Sequence, residues 1–153
     1  GVPFVFDPGQ GLPMFSGDEL MDFMKLADYA CFNDYEAKMA CDRTGRTLAE
    51  LAGEVKALIV TRGGEGSHIY ADGQCYEIPC VAAAPLIDPT GCGDAYRSGL
   101  LYGIANGWDW VKTGRLAAVM GAIKIEHRGG QNHHPTRSQI AERFAKAFGE
   151  APW

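Results

Sequence analysis

The stretch Asp88-Pro-Thr-Gly-Cys-Gly-Asp94-Ala-Tyr-Arg-Ser-Gly99-Leu-Leu-Tyr-Gly103 sets two glycines at the mouth of a helix with a carboxylate just behind them. Glycine lets the backbone approach a ligand closely, and the first turn of a helix offers unpaired N–H groups to an anion. A carboxylate beside such a site repels the ligand that the amides attract. The conflict resolves if Asp94 accepts a proton from a hydroxyl while the amides hold the phosphoryl group under attack. Local chemistry therefore points to phosphoryl transfer. The competing reading is a tight turn into a helix, with Asp94 doing no more than stabilise the helix dipole by about 0.3–1 kcal/mol.

Outward from this stretch, strand and helix patterns alternate. Residues 2–6 read as a buried strand ended by the turn residues Asp7-Pro8-Gly9. Ser16 to Glu19 is a capping box for a helix that carries Leu20, Phe23, Met24 and Ala27 on one face. Residues 29–32 form a second short strand, and Asn33 to Glu36 opens a short helix. Thr47 to Glu50 is another capping box. Residues 55–61 are an almost continuous apolar run, the mark of a parallel strand covered on both faces. Asp72-Gly73 between residues 67–70 and 74–78 is a hairpin signal. Helices are predicted over residues 91–105, from Asp109 to about 126, and from Pro135 to about 148. The alternation predicts an α/β fold with a mainly parallel sheet, flanking helices and one β-hairpin. In such sheets ligands sit beyond the carboxyl ends of the strands. Asn33, Thr61 and Gly91 are each predicted to follow a strand and so to share one rim.

Composition bounds the rest. At 153 residues, 46% hydrophobic and 22% charged, the chain can build one core of ordinary globular type. A net charge of -5 with no basic run argues against a nucleic-acid surface. No apolar stretch approaches the roughly 20 residues of a membrane span. Five cysteines without a CxxC pair read as free thiols of a reducing cytoplasm. His133 and His134 are adjacent, which turns them apart, and no acidic or cysteine partner stands at metal-ligand spacing. The glycines do not fit the G-x-G-x-x-G fingerprint of a dinucleotide-binding dehydrogenase. Gly1 stands almost at once before a strand-like run, so the chain is expected to be part of something longer.

These residues together resemble the PfkB (ribokinase-like) carbohydrate kinases. Asp88 to Gly99 is similar to the family's C-terminal signature, Asn33-Asp-Tyr-Glu36 to its N-x-x-E element, and Thr61-Arg-Gly-Gly-Glu-Gly66 to its T-x-G-x-x-G segment. All three stand in the family's order. The stretches Lys124-Ile-Glu-His127 and Gly130-Gln-Asn-His133 look closer to nucleoside-kinase-like or adenosine-kinase-like members than to ribokinase.

The resemblance implies a ribokinase-like fold and transfer of the γ-phosphoryl of Mg-ATP to a hydroxyl of a sugar or nucleoside. Asp94 would be the base, and Gly91, Cys92 and Gly93 the anion hole. Thr61, Gly63, Gly66, Asn33 and Gly130 would meet the nucleotide. Asn33 and Glu36 would order water on Mg2+, although Asn-x-x-Glu is equally what a helix cap requires. Asp88 and Thr90 match positions associated with an activating monovalent cation such as K+, helped by carbonyls near Gly129 and Gly130. An Asp-Pro turn explains the same two residues. Arg97, three residues after Asp94 on the same helix face, either touches phosphate or pairs with the base. Gly99 and Gly103 read as close helix packing, and Trp108, Trp110, Val119, Met120 and Ile123 as core. Family members run to about twice this length. The chain is therefore expected to be the nucleotide-binding half alone, over residues 1–153, without the N-terminal half that supplies the substrate pocket and lid. Two further expectations follow: a homodimer or a complementary N-terminal half as partner, and, as the alternative to catalysis, a fragment that binds nucleotide without turning it over.

Overall fold

The computed structural model describes all 153 residues. Five strands lie in the order β1 (Val5–Phe6), β2 (Tyr29–Asn33), β3 (Ala57–Thr61), β4 (Ser67–Ala71) and β5 (Gln74–Ile78). The first three are parallel and β4 runs antiparallel to β3. Asp72 and Gly73, both at positive φ, make the two-residue turn between β4 and β5. The expected α/β fold with a mainly parallel sheet and a hairpin is therefore found. Contacts divide the chain into two compact units, residues 1–63 with 67–77 and residues 64–66 with 78–153.

In the first unit, helices α1 (Gly17–Leu26), α2 (Asp34–Thr44) and α3 (Leu48–Ala52) pack on the sheet. Each begins at a capping box, Ser16/Glu19, Asn33/Glu36 and Thr47/Glu50. All three boxes were legible in the sequence because they need only two residues three apart. Ala57, Leu58, Ile59 and Val60 are buried, as a strand covered on both faces requires. Phe6, Leu12, Leu20, Met24, Phe32 and Leu51 complete that core, with the Phe6 and Phe23 rings stacked at 5.2 Å. The first strand is shorter than predicted, two residues instead of five. Pro3 has no N–H to give to a ladder, and pairing with β2 starts only at Val5.

In the second unit, α4 (Cys92–Ala105) lies along α5 (Trp110–Ile125), and α6 (Arg137–Phe148) packs on α5. Gly99 and Gly103 make the close approach expected of them. A Cβ on Gly99 would stand 2.7 Å from the Ala117 Cα, and one on Gly103 would run into Thr113. Val119, Ile123 and Phe144 form the core there. Trp110 and Met120 are only half-buried, and Trp108 stands at the rim with its ring 6.4 Å from that of Trp153.

One expectation fails. Gly91 does not follow a strand: after β5 the chain runs from 79 to 90 without regular structure. Pro79, Pro85 and Pro89 each lack a ladder donor, and the N–H groups of Ile87 and Asp88 both go to the Ile125 carbonyl at the end of α5.

Candidate active site

In the first unit, β2 and β3 end side by side, their parallel register pairing Asn33 with Thr61. Both stand at the carboxyl edge of the sheet, where α/β folds bind ligands. Asn33 caps α2: its Oδ1 accepts the Glu36 N–H at 2.7 Å, and Glu36 Oε2 accepts the Asn33 N–H at 2.9 Å. The cap is thus formed, with Glu36 buried. It occupies one carboxylate oxygen and leaves Oε1 over. A single leftover carboxylate oxygen suits Mg2+, which keeps most of its waters and takes few protein ligands. No group of three or more His, Cys, Asp or Glu residues converges to hold a metal, so the ion would arrive with the phosphates of a nucleotide.

The Thr61 hydroxyl points to the Phe32 carbonyl at 3.5 Å, a long contact that leaves it available. Gly63 has φ +54 and open space where a Cβ would be. Gly66 differs. With φ +88, its missing Cβ leaves room for the Ile78 carbonyl and the Cys80 amide, so packing alone demands glycine there.

In the second unit, α4 starts at Gly91, whose φ of +80 and close approach to the Gly130 carbonyl exclude any side chain. The Cys92 N–H turns back to the Pro89 carbonyl at 3.0 Å, while those of Gly91 and Gly93 donate to no acceptor of the chain. The helix mouth therefore offers open amides on either side of Cys92. Asp94, in the first turn, has 89% of its side chain exposed. The Arg97 guanidinium lies over Gly93 and 4.0 Å from the Asp94 carboxylate, close enough to interact with either an anion or the acid.

Behind the mouth, Asp88 is fully engaged. Its Oδ1 accepts the Thr90 N–H at 2.9 Å and its Oδ2 the Gly129 N–H at 2.7 Å. These bonds, the one from Gly129 above all, hold its carboxyl down at about 2. Its carbonyl accepts the Lys124 ammonium at 2.8 Å and the Cys92 thiol at 3.8 Å. Burial pushes that thiol's pKa up, so Cys92 stays protonated. The Asp88 carbonyl thus already holds a positive charge, the Lys124 ammonium, while each carboxylate oxygen has accepted one amide and keeps a further acceptor site.

Lys124, which the sequence marks only as part of the Lys124–His127 stretch, takes a place at this site that no motif assigns to it. It lies on α5 seven positions after Ala117 and eight after Leu116, on the buried stripe of the helix, and is fully buried. A lysine at that spacing, inside a stripe whose other residues are uncharged, was the available signal.

The pattern described as pfkB family carbohydrate kinase matches residues 3–137. A nucleoside kinase of Methanocaldococcus jannaschii is 37% identical over 141 residues, which cover 92% of this chain and 47% of that protein. The structure of a Burkholderia thailandensis nucleoside kinase in complex with ADP-inosine superposes with a TM-score of 0.97 at 55% identity, over 99% of this chain and 48% of that one. A solved M. jannaschii nucleoside kinase, described as an archaeal member of the ribokinase family, gives a TM-score of 0.90 at 36% identity, over 94% of this chain and 48% of that one. The chain thus spans about half the length of the curated relatives it matches. Signature, fold and match agree, and the chain belongs to the pfkB family of carbohydrate kinases.

Proposed function

We propose that this chain carries the nucleotide-binding and base-bearing part of an ATP-dependent nucleoside kinase. The observation that carries this reading is the mouth of α4, where the exposed Asp94 carboxylate stands beside the open Gly91 and Gly93 amides. Its support is the likeness to nucleoside kinases, one of them held with ADP-inosine. A purine nucleoside such as inosine is therefore the acceptor to test first, ahead of a free sugar.

In this reading Asp94 accepts the proton of the nucleoside hydroxyl as that oxygen bonds to the γ-phosphorus, while the bridging bond to the β-phosphate breaks and ADP leaves with its electron pair. The amides of Gly91 and Gly93 face the charge on the transferred group, each well-placed donor being worth about 3–4 kcal/mol in the transition state. Arg97 adds a positive charge at the same mouth. Thr61 and Gly63 present a hydroxyl and an accessible backbone to the phosphates of ATP, and Glu36 Oε1 with Asn33 would hold the hydrated magnesium of the nucleotide. Magnesium, when bound, neutralises charge on the β- and γ-phosphates. Gly66 serves by letting backbones pack closely, and Gly130, whose own Cβ position is open, sets its carbonyl against Gly91 beside the nucleotide.

The test is ATP consumption with inosine, run on the intact protein and on Asp94→Asn. Loss of a positioned base should lower kcat by roughly 10²–10⁴-fold with little change in ATP affinity. Near-normal turnover by the variant would sink the mechanism. One observation favours a second reading for the 153-residue chain by itself: its coverage of about half of the two nucleoside kinases compared above fits a fragment that binds nucleotide but needs a complementary half for turnover.

A further inference from the structure

Lys124 is a fully buried charged side chain. Burying an ammonium is costly unless strong acceptors surround it, and an apolar residue on the same stripe would pack at less cost. Its Nζ donates to the Asp88 carbonyl at 2.8 Å and to the His127 carbonyl at 3.0 Å. It also sits in the last turn of α5, where the helix dipole favours a positive charge. The two carbonyls belong to the two turns that meet at the helix mouth, one leading through Thr90 to Gly91 and the other through Gly129 to Gly130. The Asp88 carboxylate ties the same turns through the Thr90 and Gly129 amides. One positive charge, ligated by backbone carbonyls beside an ionised Asp, is what a bound alkali ion would supply at this place.

We infer that the Lys124 ammonium is a tethered replacement for a monovalent cation, fixing the Asp88–Gly91 turn so that the protein needs no free K+. Lys124 is a positioning residue: it acts through the turn that presents the Gly91 and Gly93 amides. The inference leans on the proposed kinase function only for why the turn matters, and its test does not depend on turnover.

Thermal unfolding of the intact protein is measured in KCl and in choline chloride at equal ionic strength, and crystals are soaked in a thallium(I) salt as an electron-dense substitute for K+. The wild-type protein should melt at the same temperature in both salts and show no thallium peak against the Asp88 carbonyl. A K+-specific rise in Tm, or thallium at that carbonyl, overturns the inference. Lys124→Ala opens space and removes the charge. It should melt lower in choline and recover by about 3 °C when K+ exceeds its Kd tenfold. Lys124→Met fills the space without the charge and should show no such recovery. A Lys124→Ala protein indifferent to K+ overturns the inference, because a merely structural lysine would behave that way. Should that variant not fold, the wild-type salt and thallium measurements still decide. If inosine is never phosphorylated, the kinase reading fails while these measurements stand.

Discussion

Asp88 and Asp94 lie six residues apart in one signature and have opposite environments. Asp94 is exposed, with only a long contact to Arg97. Asp88 is half-buried and accepts two backbone amides, and its pKa of about 2 lies below its ordinary value of 3.8. A carboxyl lowered on folding contributes stability above its unfolded pKa and loses it as pH falls through the folded one. Replacing it with Asn leaves one oxygen for two donors and turns an NH2 toward the second amide. Asp88→Asn should therefore melt below the wild type at pH 7, and the gap should narrow steadily below about pH 4. A gap that stays constant from pH 6 to pH 3 in circular-dichroism melts would show that the carboxylate charge is not what these amides hold. The signature made Asp94 and Gly91 legible because their chemistry is written in residue type. The engagement of Asp88 was not legible. Its partners Lys124 and Gly129 are 36 and 41 residues away, and no spacing rule joins them.

At the scale of elements, the helix starts were the most readable feature, since a cap is a local contract between two residues. The same simplicity left Asn33 and Glu36 ambiguous, because one pair of residues serves both a cap and a metal-bound water. The structure shows the cap made, and the two roles can be separated by substitution. Asn33→Ala removes the side-chain acceptor and should cost ~1 kcal/mol of stability. Glu36→Gln keeps an oxygen for the Asn33 N–H, as Gln serves in capping boxes. Because Gln makes the same capping bond, the variant's stability should fall less than that of Asn33→Ala, while the Mg2+ concentration needed for half-maximal phosphorylation should rise. An unchanged Mg2+ requirement would leave Glu36 as a cap and nothing more. Element ends were legible where Gly, Asp or Ser stood at them. The segment from 79 to 90 was not, because the N–H groups of Ile87 and Asp88 go to the end of α5, a partner that local sequence cannot name.

For the whole chain, every segment assigned to the nucleotide in the proposed function lies within residues 1–153, in both compact units: Asn33, Glu36, Thr61 and Gly63 in one, Gly91, Gly93 and Arg97 in the other. The relatives are about twice as long, and the family resemblance assigns most of the nucleoside pocket to the part that this chain does not match. The two ligands should therefore part company on the 153-residue piece. In isothermal titration it should bind ADP with Mg2+ measurably and give no saturable heat with inosine, whereas the intact protein should bind both. Asp94→Asn in the piece should leave ADP binding within about twofold, because a base contributes to the transition state and not to ground-state affinity. Inosine binding by the piece with no ADP binding would reverse the assignment, placing the acceptor pocket on these residues and the nucleotide elsewhere.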